Sequence, residues 1–321
     1  MSTSRVTRRR ALAIGGGAAT AGLLTGVPFG SSALAASKGG LKQHGKLPAA
    51  EIQKIVQAQG TLTNGVLSID IDRDDLGKVK GPLGVTFTGS FELDGTLTFE
   101  PLGDNLAFFN GDLPLKPDET QGFIDALIAN GLTFQAFHQH YIEMSPQIWF
   151  IHWRGVGEPL KLAQAVHNVL KATGTQLPQT MPSKPKSPLD AKRLGKILGG
   201  DAQIGSDGVV TVSVNRRDTI VIGGVHASAD SNIATDIEFK PRSGKDSLAD
   251  VGPDFSMTGS EVQLVVALMR KQGWFVSCLY NQETEESPQL YFSHMLKSGN
   301  AYTLAAEIRL GLDKTNSDKP G

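Results

Sequence analysis

The chain repeats itself: residues 131–152 (GLTFQAFHQHYIEMSPQIWFIH) realign without a gap on residues 273–294 (GWFVSCLYNQETEESPQLYFSH), at an offset of 142 positions. Gly131, Glu143, Ser145, Pro146, Gln147, Phe150 and His152 recur as Gly273, Glu285, Ser287, Pro288, Gln289, Phe292 and His294. A fold that accommodates this must build one unit twice. The differences are as informative: His138-Gln139-His140 becomes Tyr280-Asn281-Gln282, so one frame carries two polar clusters.

Around the duplication the chain divides readily. Residues 1–35 read as a twin-arginine export signal: Thr7-Arg8-Arg9-Arg10-Ala11-Leu12, a Gly/Ala-rich stretch to Val27, and the small-x-small cleavage site Ala33-Leu34-Ala35. No cysteine follows that site to carry a lipid, so the expectation is a secreted or extracytoplasmic product without a stable membrane anchor. Its partners would then include the twin-arginine export machinery. Residues 36–46 read as a flexible leader, 47–177 as repeat 1, 178–188 as a proline-rich linker, 189–314 as repeat 2 and 315–321 as a tail.

Within each repeat the hydrophobic period switches between helix and strand. An amphipathic helix is expected over 48–59 and 189–198. Alternation then marks strands at Gly65–Ile71 and Gly208–Val214, with further strands at Val85–Leu93 and Thr96–Glu100. Phe99-Glu100-Pro101 is echoed by Phe239-Lys240-Pro241. A helix begun by Asp118 and Glu119, or by Ser260 and Glu261, leads to the duplicated hairpin, and a last helix follows at 159–172 or 302–312. This order predicts an α+β fold: two tandem homologous repeats, pseudo-twofold related, each a mostly antiparallel sheet with helices packed on one face.

The hairpin holds the candidate chemistry. Residues two apart share a strand face, so His138 and His140 project together with Phe134, Ala136 and Ile142. A turn at Glu143–Gln147 would set Ile142 opposite Ile148, His140 opposite Phe150 and His138 opposite His152. Three imidazoles then meet on one face, a donor set suited to a divalent metal such as zinc, with Glu143, Glu119 or Asp112 able to add a carboxylate or general base. The plainer reading is a hydrogen-bonded pocket or packed histidines, because the second copy holds Tyr280, Gln282 and His294 at the same places.

Other chemistries find no footing. There is no Gly-x-Ser-x-Gly elbow, and Gly15-Gly16-Gly17 belongs to the signal rather than to a phosphate loop. A short His-x-His spacing and flanking helices argue against a cupin. Cys278 is the one cysteine and aligns with Ala136, which reads as a space-filler. Arg73-Asp74-Asp75 and Arg216-Arg217-Asp218 read as ion-paired turns. Without the signal's four arginines the chain has 27 basic and 32 acidic residues, which excludes nucleic acid as an expected partner.

Several spaced motifs together resemble the LppY/LpqO family of exported bacterial proteins, a domain of unknown function. They are Gly111-Asp112, Glu119, Ala136-Phe137-His138-Gln139-His140, Pro146 and Trp149-Phe150-Ile151-His152, with Asp254, Glu261, Pro288 and Tyr291-Phe292-Ser293-His294 in the second copy. The likeness covers residues 46–314 and implies a tandem-repeat member with a twin-arginine signal and no lipobox. The functional expectation is a binding module whose first repeat holds a metal or small polar ligand. Metal candidates are His138, His140 and His152, and binding candidates are Asp112, Gln139, Tyr280, Gln282 and His294. The alternatives are a metal-dependent hydrolase using the same cluster, with Glu143 or Glu119 moving protons, and a cell-envelope structural protein without a small-molecule site.

Overall fold

Strand-period alternation produces the same six-stranded sheet twice. In the first repeat β1 (Thr61–Thr63), β2 (Val66–Asp72), β3 (Asp94–Gly103), β4 (Leu106–Leu115), β5 (Thr133–His138) and β6 (Trp149–Gly157) pair antiparallel in the order β1-β2-β3-β4-β6-β5. In the second, β7 (Asp201–Ile204), β8 (Val210–Val214), β9 (Thr235–Pro241), β10 (Leu248–Thr258), β11 (Phe275–Val276) and β12 (Leu290–Asn300) follow the same order, β7-β8-β9-β10-β12-β11. The structure is a computed structural model and describes residues 40–180, 185–205, 207–242 and 247–321. The expected export signal, the leader up to residue 39 and the linker's residues 181–184 lie outside the described residues. No described helix is long and apolar enough to cross a membrane.

Helices cover one face of each sheet. In repeat 1, α1 (Ala49–Val56), α2 (Thr120–Ala129) and α3 (Pro159–Leu170) bury Ile52, Phe123, Leu127 and Val166 against Ile69, Leu97, Phe109 and Trp153. In repeat 2, α4 (Ala191–Leu198), α5 (Gly259–Lys271) and α6 (Ala301–Leu312) bury Leu194, Val265, Met269 and Ile308 against Val212, Ile237, Phe255 and Met295. Each such buried side chain contributes about 1.5–3 kcal/mol, which makes the helix-side faces the two main cores.

The other sheet faces meet each other, and two mixed apolar clusters seal their flanks. Phe87, Phe91, Tyr141 and Phe150 pack with Val209 and Leu296 on one side. Ile220, Ile222, Ile233, Leu290 and Phe292 pack with Leu102 and Phe108 on the other. Polar contacts cross in both directions. Glu100 Oε2 accepts from Ser228 N (2.8 Å) and Ser231 Oγ (2.6 Å), while Lys240, at the matching place in repeat 2, donates to Thr86 O (2.7 Å).

Three expectations need correction. Val85–Leu93 is not one strand: Thr86–Phe87 pairs with Val79–Lys80, Thr88 bridges back to Phe91, and Glu92 turns the chain at φ 65°. The hairpin register is shifted by two, with His138 opposite Phe150 and Ala136 opposite His152, because the connection runs from Gln139 to Ile148 rather than over Glu143–Gln147; a bulge between Phe134 and Ala136 shifts it by one more beyond. The chain leaves β5 at His138, so strand parity stops there; His140 and Tyr141 are both buried and Ile142 is exposed. Within the leader, Leu41–Lys42 is a strand paired in parallel with Val225 and His226.

Candidate functional site

The facing sheet surfaces are lined by the polar half of each alternation. Asp94 and Thr96 from β3, Asp112 from β4 and His152 from β6 meet Asp236 and Glu238 from β9, Asp254 from β10 and His294 from β12 around a cavity of about 80 Å³. His140, Tyr280, Gln282, Asn232 and Glu92 complete its wall. Register places Asp112 opposite His152 and Asp254 opposite His294, so each repeat supplies one Asp–His pair from adjacent strands. A second cleft of about 250 Å³ adjoins it, sharing Asp94, Thr96, Asn232, Asp236 and Glu238 and adding Asp70, Asp201 and Asp230. No lysine or arginine is found among the described residues of that lining.

Among the described residues, the ligand-type side chains that close on one another are Glu92, His140 and His294, one donor atom of each lying within 4.8 Å of the others. All three are buried, and they come from both repeats. His294 Nδ1 lies 3.4 Å from Glu92 Oε2, and its Nε2 lies 3.5 Å from Asp254 Oδ2. Tyr280 Oη donates to Asp254 Oδ2 (3.0 Å) and lies 3.2 Å from His294 Nε2, which fixes the imidazole from behind. His140 stacks on Phe150 and His294, at ring separations of 3.3 and 3.5 Å, and neither of its nitrogens has a hydrogen-bond partner. Gly252 lets Glu92 in: a Cβ there would lie 1.6 Å from Glu92 Oε1.

Burial and neighbouring charge set the protonation of these groups. Burial holds His138, His140 and His152 below the usual imidazole range, seconded by His152 for His138 and by His294 for the other two, with His152 falling to about 3. His294 goes the other way: burial opposes its charge, but Asp254, Glu92 and Asp112 outweigh that and raise its pKa. Burial pushes Asp112 up to about 7 against bonds from Thr96 N and Asn232, and Asp254 up to about 6 against the pull of His294. Asp94 and Glu238 are held well above the usual carboxylate range by burial and then by the surrounding acids.

The cavity straddles the pseudo-twofold axis, so its halves correspond. In the hairpin the offset of 142 relates His140 to Gln282 and His152 to His294; over β3 and β9 it is 140 and relates Glu92 to Asn232. The backbone agrees, since Glu92 and Asn232 are both left-handed, at φ 65° and 59°. Glu92, His140 and His294 are therefore mirrored by Asn232, Gln282 and His152. One half offers a carboxylate and two imidazoles; the other offers two amides and an imidazole.

The residues read from the sequence divide accordingly. Asp112, Tyr280, Gln282, His294, His140 and His152 line the one cavity. His138 stands beside it, its Nε2 2.9 Å from His152 Nε2 and its ring stacked on Tyr280 at 3.6 Å. The three hairpin imidazoles are thus split, two bonded together and the third turned toward repeat 2. Gln139 and Glu143 lie off the cavity, Glu143 on the exposed loop. Glu119 lies elsewhere, accepting from Arg73 Nη2 (2.9 Å), Lys116 N (2.8 Å) and Gly174 N (2.7 Å). Cys278 Sγ accepts from His294 N (3.3 Å), and burial pushes its thiol well up. Glu92 and Asn232 were missed; aligning 91–101 with 231–241 at the offset of 140 is the signal that pairs them.

No curated protein and no solved structure matches the chain. A family described as "Domain of Unknown Function (DUF1259)" matches twice, over residues 50–172 and 192–314, which coincide with the two repeats built around this cavity. The chain belongs to that family, as a tandem duplication of its domain.

Proposed function

We propose that this chain is an exported cation-binding protein in which Glu92, His140 and His294 hold a divalent metal such as zinc between the repeats. His140 carries the reading: it is buried at 7% exposure, both ring nitrogens lack a partner, and a carboxylate and a second imidazole are within ligand reach. An unpaired buried polar group costs about 1–3 kcal/mol, and a ligated cation offsets that cost. Two nitrogens and one oxygen suit a borderline divalent ion. Asp254 and Tyr280 behind His294 are the kind of outer contacts that orient a ligating imidazole. When bound, such an ion polarises a coordinated oxygen or acidifies a coordinated water.

A metal-dependent hydrolase is the second reading, and the cavity favours it. Glu92, His140 and His294 would hold the ion at the wall of about 80 Å³ of space, and Asp112, pushed up to about 7, shares that lining and would carry a proton. The twin-arginine motif and the following small-x-small site support export. The His-x-His, Pro and aromatic-x-x-His pattern supports kinship with the LppY/LpqO proteins. The acidic cleft supports a metal ion or small ligand as the partner rather than nucleic acid.

Elemental analysis of protein purified without a histidine tag tests the metal. Stoichiometric transition metal is expected in the wild type, lost in His140→Ala and in Glu92→Gln with the circular dichroism unchanged. His138→Ala is expected to keep it, which separates this centre from a hairpin-only triad. A metal-free wild type ends the reading.

A further inference from the structure

We infer that the amide half of the cavity is a ligand subsite, which takes the hydroxyl or N–H end of a small molecule whose other end reaches the metal. The inference rests on the metal reading above and adds the chemical class of the ligand. Gln282 carries it. The residue is 5% exposed, lines the cavity, and its Oε1 has no hydrogen-bond partner. Its orientation follows from its neighbours. Tyr280 Oη gives its proton to Asp254 Oδ2 (3.0 Å), so toward Gln282 it accepts from Nε2 (3.4 Å). Oε1 is left as a buried acceptor waiting for a donor, and such an atom selects strongly for a ligand that supplies one.

The rest of the half-site agrees. Asn232 Nδ2 is committed to Asp112 Oδ1 (3.2 Å), which also accepts from Thr96 N (3.1 Å), so these dipoles are already fixed. His152 is held neutral. The described lining of the cavity holds no lysine or arginine. In this half Asn232 and Gln282 stand where the metal half has a carboxylate and an imidazole, and Asp94, Asp112, Asp236, Glu238 and Asp254 share the lining. About 80 Å³ limits the bound portion to a few heavy atoms.

The test uses the full chain loaded with cobalt(II), whose visible absorption reports ligand binding. Acetohydroxamic acid, with metal-seeking oxygens and an N–H, is titrated beside azide, which has no donor. Gln282→Met keeps the volume and removes the acceptor; Gln282→Glu keeps an acceptor. Acetohydroxamate is expected to bind Gln282→Met about tenfold more weakly than wild type, the scale of one hydrogen bond. Gln282→Glu should restore most of that affinity, and azide should change by less than about twofold in both variants. Metal content is measured on every sample. If the wild type takes up no cobalt, the metal reading and this inference fall together. If cobalt loads and acetohydroxamate binds Gln282→Met as well as wild type, or weakens in parallel with azide, the subsite alone is overturned. A Gln282→Met variant that does not fold leaves the Gln282→Glu comparison to decide, because acetohydroxamate binding lost there with azide retained also overturns it.

Discussion

Glu286 shows how buried carboxylates tie this chain's stability to pH. Burial, with Glu283 adding to it, pushes its carboxyl up to about 8 despite bonds from Leu290 N and Gln289 Nε2. Its folded pKa lies above the ordinary 4.5, so its contribution to stability is fully present below that value and is lost as pH rises toward 8. Gln in its place cannot ionise and keeps an oxygen for both bonds. Glu286→Gln is expected to be more stable than wild type by roughly 4 kcal/mol at pH 8, with the difference closing below pH 5. Melting curves across that range check it; a constant offset would mean the carboxyl does not titrate as described. Glu283, pushed up to about 7, and Asp70, pushed up to about 6, act with the same sign. At this scale the sequence made His140, His152 and His294 visible because imidazoles in a repeated frame stand out. Glu92 was not visible: its role depends on a left-handed turn and on a glycine in the other repeat, neither of which leaves a local mark.

The element ends are held by a buried ion cluster that occurs twice. Arg73, just past β2, is fully buried and bridges Asp75 and Glu119 at 2.7 and 2.9 Å; Arg216, just past β8, does the same with Asp218 and Glu261 at 2.5 and 2.9 Å. The chain beyond the last helix closes each cluster, Gly174 N donating to Glu119 and Asn316 N to Glu261. Removing Arg73 leaves Glu119 with backbone donors only and Asp75 with the half-exposed Lys116 (3.1 Å) as its one cation. Arg73→Ala is therefore expected to cost about 3–5 kcal/mol, against less than about 0.5 kcal/mol for Lys161→Ala in the exposed pair with Glu158. Urea unfolding of both variants checks the contrast, and similar losses would refute it. These turns were legible as ion-paired architecture, because Arg and Asp recur at the same strand end. The direction of the polar strand faces was not. Thr96, Thr98 and Glu100, like Asp236, Glu238 and Lys240, alternate as residues on a wetted face would, yet they face the other sheet. Period reports which residues share a face and carries no information about what that face meets.

For the whole molecule, the mixed clusters decide how the halves unfold. Phe87, Phe91 and Phe150 are packed with Val209 and Leu296, and Ile220 and Ile222 with Leu102 and Phe108, so opening either repeat strips apolar cover from the other. Calorimetry is expected to record one cooperative transition with equal calorimetric and van't Hoff enthalpies. Two resolved transitions would show the repeats to be energetically independent. The crossing of Glu92 and Asn232 has a consequence for descent. A chain carrying one repeat closes neither half of the cavity alone; it does so by pairing with a second copy about a true twofold axis. In that arrangement every substitution appears twice, and the two halves stay identical. Joining the copies in one polypeptide lifts that constraint, leaving one half free to hold two amides where the other holds a carboxylate and an imidazole.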